Sequence, residues 1–307
     1  MRSLASRLLT LALVLASGCS PEIDRSIALV TRPRVLAVQA EPPESPPGSS
    51  AVYTALAATP TGVQPAAGIA WSLCASPAQP SEDSPVSSAC VLADAAATTN
   101  LATGNGVSLV TPVSACDEFG PLGMPTLSGS PATQASAPDV TGGYYQPVRL
   151  LWDQALSFAF ERLACPPVGV PLDLAQAYRA AYRPNQNPQL LAVSANGDGD
   201  GAPLDVTALA PGSTIALTAS WTPDSAESYV TIDVEQDVLL TQTETLWLAW
   251  FVTGGQLASD YALCPAGATS AANRWQAPAA PGTYYLWTVL HDDRGGVDFA
   301  TTSLTIP

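Results

Sequence analysis

The sequence contains no lysine and only one histidine, and charged residues make up just 12% of its 307 positions. The 11 arginines are outnumbered by 26 acidic residues, which gives a formal net charge of −15. Proteins that bind nucleic acid present a basic surface to the phosphate backbone, so this balance excludes them. The same balance argues against electrostatic attachment to anionic lipids.

Motifs for metal binding and catalysis are missing as well. No Cys-x-x-Cys pair occurs, and a single histidine makes a zinc site a poor interpretation. Neither His-Glu-x-x-His nor Gly-x-Ser-x-Gly is present, and no acid–base pair can be assembled around His291. Its neighbours Asp292 and Asp293 fall where a polar hairpin turn is expected. We therefore predict a protein that is not an enzyme and needs no cofactor.

Residues 1–18 have the layout of an export signal, with two arginines followed by a nine-residue apolar run that is too short to span a bilayer. The run ends in Leu15-Ala16-Ser17-Gly18-Cys19, which resembles the lipobox of bacterial lipoproteins. The resemblance implies that the mature chain begins at Cys19 and carries a covalent lipid there. The alternative is an ordinary signal peptide with an incidental cysteine.

The residue after the cysteine is Ser20 rather than aspartate, a pattern that resembles outer-membrane rather than inner-membrane lipoproteins. Two or three acyl chains make a durable anchor, since each buried methylene contributes about 0.8 kcal/mol. We expect a tether over residues 19–32 and domains that face the periplasm or the cell surface. No other segment is long and apolar enough to predict a transmembrane helix.

Five cysteines remain after Cys19, an odd number in a chain that is expected to be exported into an oxidising compartment. Four of them lie in the first half of the chain, and we expect these to pair as Cys74–Cys90 and Cys116–Cys165. Cys264 is then left as a free, buried thiol.

The 29 prolines and 22 glycines are scattered between short apolar runs. This distribution is typical of short strands joined by many turns rather than of a helical bundle. Removal of 18 signal residues from 307 leaves 289, which is enough for two ordinary domains.

Segments of the first half recur in the second half, which indicates a duplicated unit. The matched pairs are Pro33–Ala40 with Pro188–Ala195, Pro47–Ala55 with Pro211–Ala219, and Trp71–Cys74 with Trp247–Trp250. They describe a strand, a Pro-Gly turn, a second strand and a strand that carries tryptophan. This order resembles the opening of an immunoglobulin-like β-sandwich.

The end of the chain supports the same interpretation. Residues 281–296 resemble the penultimate strand and final hairpin of PKD-like and other immunoglobulin-like modules, with Tyr284 at the position of their corner tyrosine. Leu286 stands where an antibody domain has its second cysteine, so the antibody-type disulfide is missing. The resemblance covers residues 188–307 well and the first half only through its opening strands.

The sequence thus predicts a mainly β fold with two immunoglobulin-like sandwiches. The first spans residues 33–166 and contains an irregular insertion at about 91–145. A connecting segment over 167–187 includes a short helix at Asp173–Tyr182, which Pro184 ends. The second, PKD-like sandwich spans residues 188–307.

Two candidate binding sites have competing interpretations. Asn196, Asp198 and Asp200 lie in a Gly-Asp repeat that resembles a fragment of a calcium loop, but Thr207 replaces the glutamate that the EF-hand pattern requires. A polar hairpin loop is the favoured interpretation, and a weak calcium site is the alternative. Tyr285 and Trp287 share one face of a strand and would bind a sugar or a protein if that face were exposed. The favoured interpretation is that the helix or the first domain covers them.

We conclude from the sequence that the chain is a non-enzymatic, membrane-anchored lipoprotein with a structural, adhesive or binding role at the cell envelope, engaging protein or glycan. One alternative is a carbohydrate-binding module that uses Tyr285 and Trp287. Another is an accessory subunit of an envelope or secretion complex, which would co-purify with its partners from solubilised envelopes.

Overall fold

The computed structural model describes residues 27–62, 68–78, 82, 84–121, 138–195 and 209–307. Cys19 and the calcium candidates Asn196, Asp198 and Asp200 lie outside these ranges, so their roles stay predictions. None of the helices in the described ranges is long and apolar enough to cross a membrane.

Eight strands in the described part of the first half form two facing sheets. They are β1 (Arg34–Glu41), β2 (Glu44–Ser45), β3 (Ser50–Ala58), β4 (Ala70–Cys74), β5 (Thr98–Thr103), β6 (Gly106–Val110), β7 (Tyr144–Trp152) and β8 (Ala155–Leu163). One sheet has the order β1-β3-β6 and the other β2-β8-β7-β4-β5. The chain changes sheets between β1 and β2, and β2 then pairs in parallel with β8.

The prediction of an irregular insertion at about 91–145 is wrong for residues 98–110, which form two strands of the sandwich. β5 pairs with β4 and β6 pairs with β3, so residues 98–110 complete both sheets. The sequence concealed them because β5 buries none of its six residues fully and β6 only two. Strands at a sheet edge carry too few apolar residues to be recognised from their pattern.

Ten strands occur in the described part of the second half. They are β9 (Leu190–Ala195), β10 (Thr214–Trp221), β11 (Ser228–Asp233), β12 (Val238–Thr243), β13 (Leu246–Val252), β14 (Gln256–Leu257), β15 (Tyr261–Cys264), β16 (Ser270–Gln276), β17 (Gly282–His291) and β18 (Val297–Ile306). The two main sheets have the orders β14-β16-β10-β9 and β15-β13-β17-β18, while β11 and β12 form a separate hairpin. Both halves are therefore immunoglobulin-like β-sandwiches.

The core of the second sandwich contains the features that the resemblance implied. Leu286 and Trp250 are both about 1% exposed and belong to one apolar cluster between the sheets. The hydroxyl of Tyr284 donates a hydrogen bond of 3.0 Å to the carbonyl of Ala280, four residues upstream. This is the bond of a tyrosine corner, so the prediction for Tyr284 is confirmed.

The duplication is visible in the pairing of strands, with one correction. β1 pairs with β3 as β9 pairs with β10, which agrees with the first two sequence matches. The third match, which aligns Trp71 with Trp247, is wrong because the two side chains lie on different faces of their strands. Trp71 and Trp250 point into their cores, whereas Trp247 lies on the opposite face of β13. The β11–β12 hairpin accounts for the longer connection between β10 and β13 in the second copy.

Three α-helices occur in the described residues, namely α1 (Ser88–Val91), α2 (Ala115–Glu118) and α3 (Leu172–Ala181), together with a 3-10 helix at Pro223–Ser225. α3 is the helix expected between the domains, and it packs on the β11–β12 hairpin. Disulfides join Cys74 to Cys90 in α1 and Cys116 in α2 to Cys165, as the sequence favoured, and Cys264 is a buried free thiol.

The prediction of a tether over residues 19–32 is wrong at the C-terminal end of that range. Ala28 and Val30 are each 1% exposed, and the backbone of this segment bonds to Val252 at the end of β13. Ala28 joins the core of the second sandwich, and Val30 joins a cluster shared by both sandwiches. Residues 28–30 therefore lie at the junction of the two domains, before the chain begins β1.

Candidate functional site

The two sandwiches meet through an apolar contact centred on Trp287, which is 0% exposed. Trp287 and Val289 of β17 pack with Leu56 and Ala37 of the first sandwich. The neighbouring Tyr285 is half-buried, and its ring fills the space beside Gly62 in the loop after β3, where a Cβ atom would lie about 2 Å from the ring. A left-handed φ of +74° also favours glycine at this position.

This contact confirms the interpretation that the first domain covers Tyr285 and Trp287, and it overturns their candidate role as an exposed binding site. The two side chains share a face of β17, as expected, but the first domain covers that face. A ring that stacks on a sugar must be accessible, and Trp287 is not. The carbohydrate-binding alternative therefore loses the residue on which it depended.

Beside the apolar contact lies a buried group of charges, which we call the Arg294 cluster: Arg294, Glu44, Arg162, Glu244 and Asp292. Arg294 sits in the β17–β18 turn and is 0% exposed. Its Nη2 atom lies 3.2 Å from Glu44 Oε2 of the first sandwich, and its Nη1 atom lies 3.2 Å from Glu244 Oε1 of the second. One guanidinium group thus bridges carboxylates from both domains.

Glu44 is the partner of Arg294 on the first sandwich, and it is also bound to the connecting segment. The hydroxyl of Tyr182 donates to its Oε1 atom, and the backbone amide of Asn185 donates to its Oε2 atom at 2.8 Å. Arg162 of β8 places its Nε atom 3.5 Å from the same oxygen. Three parts of the chain therefore converge on one carboxylate that is 3% exposed.

Burial raises the pKa values of three carboxyl groups in and beside this cluster. Burial, followed by the Asp292 charge, raises the pKa of Glu244 to about 8. Burial also raises the pKa of Asp292 to about 6, although two backbone amides and Asn185 donate to it. In the first sandwich, burial raises the pKa of Glu161 to about 7, and Tyr53 donates its hydroxyl to this carboxyl. The charge state of the junction therefore changes across the neutral range.

A cleft of about 400 Å³ opens next to the Arg294 cluster. Residues of β1 and β8 form one wall, and the β17–β18 turn together with Trp247 forms the other. The rings of Trp247 and His291 stack with their centroids 4.9 Å apart and their planes 10° from parallel. Burial lowers the pKa of His291 to about 4, so the imidazole is neutral at pH 7.

Sequence reasoning missed Arg294, Glu44 and the cleft. Asp292-Asp293-Arg294-Gly295-Gly296 reads as a polar hairpin turn, and that interpretation is confirmed for the backbone. The one local signal was an arginine within a turn that follows a strongly apolar strand. No local sequence pattern could reveal that Glu44, 250 positions earlier, contacts Arg294.

No protein-family model and no curated protein matches this sequence. Solved structures that align with it include the D0–D1 domain of intimin, with 10% identity over 88% of this chain and 98% of that one and a TM-score of 0.23. The adhesin InvE of Yersinia pseudotuberculosis aligns over 87% of this chain and 58% of its own, with 10% identity and a TM-score of 0.22.

A nucleoside hydrolase-related hypothetical protein from Saccharophagus degradans aligns with 40% of this chain, at 15% identity and a TM-score of 0.24. The aligned part is 26% of that protein, so this chain spans about a quarter of its length. Because all these TM-scores are low, the assignment of an immunoglobulin-like fold rests on strand order and core contacts. None of these similarities carries an activity or a partner over to this chain.

Proposed function

We propose that this chain is a lipid-anchored envelope protein with a non-enzymatic structural, adhesive or binding role, in which the two sandwiches act as one rigid unit. The observation that supports the proposal is the Arg294 cluster, in which a single buried guanidinium joins Glu44 and Glu244 across the domain junction. Domains that move freely are connected by exposed, flexible linkers. Here the connecting segment itself donates hydrogen bonds into the junction through Tyr182 and Asn185.

We propose the lipid anchor from the sequence Leu15–Cys19. The position of Ala28 in the fold then limits the distance between the lipid and the domains. Cys19 lies nine positions before Ala28, which is the first of the described residues to belong to a core. An extended chain covers at most about 3.3–3.6 Å per residue, so the tether reaches about 30 Å. Since Ala28 to Val30 lie at the junction, the lipid would hold both sandwiches near the membrane rather than suspend them end to end. Ser20 leads us to propose the outer membrane.

The experiment that tests this proposal is intact-mass analysis of the protein extracted from membranes, with and without reduction. We expect a mature start at Cys19 with added acyl mass, and a gain of two hydrogens for each of the two disulfides on reduction. Cys19→Ser should release the chain from the membrane fraction without a change in its thermal unfolding. A mature start at another residue, or membrane attachment that persists in Cys19→Ser, would refute the anchor.

A further inference from the structure

The open side of the first sandwich lies between β1 and β8, and most of the β8 edge there has no partner strand. On one side, β7 pairs with the whole of β8. On the other side, the described strands offer only β2, which pairs with Arg162 and Leu163. Residues 155–161 of β8 are therefore a free strand edge, and residues 157–160 line the cleft of about 400 Å³ together with β1.

The backbone of this edge directs hydrogen-bonding groups away from the sheet. The amide of Ala164 donates to the carbonyl of Ser45 in β2, so the even-numbered residues of β8 point their N–H and C=O groups away from β7. Leu156, Phe158 and Phe160 have this orientation, and none of the described residues bonds to their backbone groups. Each of these residues therefore offers one donor and one acceptor to a further strand.

In the described structure, this edge carries none of the features that usually protect an unpaired strand. Charged side chains, proline, β-bulges or a covering element normally prevent a free edge from pairing with another chain. Residues 155–160 read Ala-Leu-Ser-Phe-Ala-Phe, without charge or proline, and their register with β7 has no bulge. The side chains of Leu156 and Phe160 are 37% and 38% exposed. The edge is therefore suited to pair with an additional strand.

The cleft beside this edge is suited to the side chains of such a strand. Its wall on β1 is apolar and includes Val35, Leu36 and Val38, and Tyr53 and Trp247 also line it. Side chains alternate between the two faces of a strand, so every second residue of an added strand would point towards the cleft. When a peptide adds to a sheet edge, main-chain hydrogen bonds supply affinity and pockets for alternate side chains supply specificity.

The charge of the chain favours a basic partner over a second copy. The acidic residues outnumber the arginines by 26 to 11, and lysine is absent. Among the described residues that line the cleft, Asp292 and Asp293 are acidic and none is an arginine. A second copy would bring the same net charge of −15 and be repelled, whereas a basic segment would be attracted.

We propose that the free edge of β8 binds an extended, basic segment of another protein as an additional β-strand, with alternate apolar side chains in the cleft. The inference rests on the binding role within the proposed function and names the class of its partner. It does not depend on the lipid anchor. Loss of lipidation in Cys19→Ser would leave peptide binding unchanged, and an absence of peptide binding would leave the anchor unaffected.

Isothermal titration of the whole chain with matched peptides tests strand addition. The reference peptide is acetyl-Arg-Val-Thr-Val-Thr-Val-Arg-amide, which has high β-propensity and a basic residue at each end. Two further copies carry backbone N-methyl groups, one copy on its valines and the other on its threonines. We expect saturable 1:1 binding of the reference peptide and at least about tenfold weaker binding of one N-methylated copy, because the amides that face β8 can no longer donate. No binding of the reference peptide, or equal binding of all three, would overturn the proposal.

A fourth peptide, with glutamate in place of both arginines, tests the preference for a basic partner. At low ionic strength we expect it to bind at least about threefold more weakly than the reference peptide. The difference should shrink at about 1 M salt, where the Debye length falls to about 3 Å. Equal binding of the two peptides at low ionic strength would refute the basic character of the partner.

Hydrogen exchange followed by NMR locates the bound strand. The amides of Leu156, Phe158 and Phe160 should exchange rapidly in the free chain and at least about tenfold more slowly when the reference peptide saturates it. The amides of β5, at the other edge of the same sheet, are the internal control and should not change. Protection confined to a different strand edge would refute the assigned site.

A proline at the edge of β8 tests the same site from the side of the protein. Leu156→Pro removes one outward N–H group and keeps the ladder with β7, since proline is tolerated where the N–H of an edge strand faces solvent. It should weaken the reference peptide about tenfold. Leu156→Thr is the matched control, because it keeps the N–H group and should change the affinity less than about threefold. An unchanged affinity in Leu156→Pro would contradict the proposal.

Circular dichroism of both variants separates lost binding from lost folding. Should Leu156→Pro fail to fold, the N-methylated peptides and the exchange measurement on the unaltered chain still decide the outcome. Sedimentation equilibrium of the chain alone examines the rival occupant. A dimer that Leu156→Pro abolishes, together with no binding of the reference peptide, would overturn the proposal and assign the edge to a second copy.

Discussion

Replacement of Arg294 by methionine tests whether the charge cluster holds the domain junction. Methionine keeps much of the aliphatic length of arginine but removes the group that lies 3.2 Å from both Glu44 and Glu244. It also removes a hydrogen bond of 2.8 Å to the carbonyl of Arg183. Loss of one partner from a buried ion pair typically destabilises a protein by about 3–5 kcal/mol, because the remaining charge stays buried without compensation.

The loss should depend on pH in a defined direction. With its pKa at about 8, Glu244 carries a proton at pH 5 and is ionised at pH 9. Removal of Arg294 therefore leaves little charge on Glu244 at pH 5, whereas at pH 9 this carboxyl must either stay ionised without its partner or take up a proton, because Arg294 lowers its pKa. We expect the destabilisation to be about 3–5 kcal/mol at the alkaline end and clearly smaller at the acidic end.

Urea unfolding followed by circular dichroism at pH 5, 7 and 9 measures this difference. Arg274→Met is the matched control, because Arg274 is exposed on β16 and its loss should change the free energy of unfolding by less than about 0.5 kcal/mol. Small-angle X-ray scattering of both variants reports whether the domains separate, and we expect a larger radius of gyration for Arg294→Met alone. Equal stability of the two variants at pH 9, with identical scattering, would refute the locking role of Arg294.

Three further predictions concern the same fold. The raised pKa values of Glu161, Glu244 and Asp292 mean that folding takes up protons between about pH 4 and pH 8. The urea midpoint should therefore fall as the pH rises through this window. Glu244→Gln removes one of these groups and should make the urea midpoint depend less steeply on pH. Trp287→Ala should destabilise the protein by about 3–5 kcal/mol and increase its sensitivity to limited proteolysis at the junction; unaltered proteolysis would show that the ring supports only its own domain. Tyr284→Phe should lower stability by about 1 kcal/mol in thermal melts, through loss of the bond to the Ala280 carbonyl, and an unchanged melting temperature would contradict a stabilising corner.

The parts of the fold that could be predicted from the sequence are those whose signal is local. The hairpin of β17 and β18 was recognisable because a Pro-Gly start, an alternating strand and an Asp-Gly-rich turn follow each other within a few residues. Helix α3 was recognisable because its apolar residues recur at helical spacing and Pro184 ends it. Tyr284 could be assigned its corner role since the bond that defines it spans only four residues.

The junction could not be predicted because alternation identifies faces but not their occupants. Trp287 lies on the face of β17 that points away from the core of its own sandwich, and a sequence cannot distinguish an exposed outer face from one that another domain covers. The burial of Val30, which the sequence assigned to the tether, could not be predicted either. Its burial depends on β1, β3 and β17, which come together only in the folded chain.

The apolar contact and the Arg294 cluster have different consequences for the junction. Apolar surfaces attract each other without strong preference for direction, so the patch around Trp287 and Val289 stabilises association but allows sliding. A buried guanidinium between Glu44 and Glu244 tolerates little displacement, because Glu244 would then stay buried without its ion-pair partner. The cluster therefore restricts the orientation that the apolar contact stabilises.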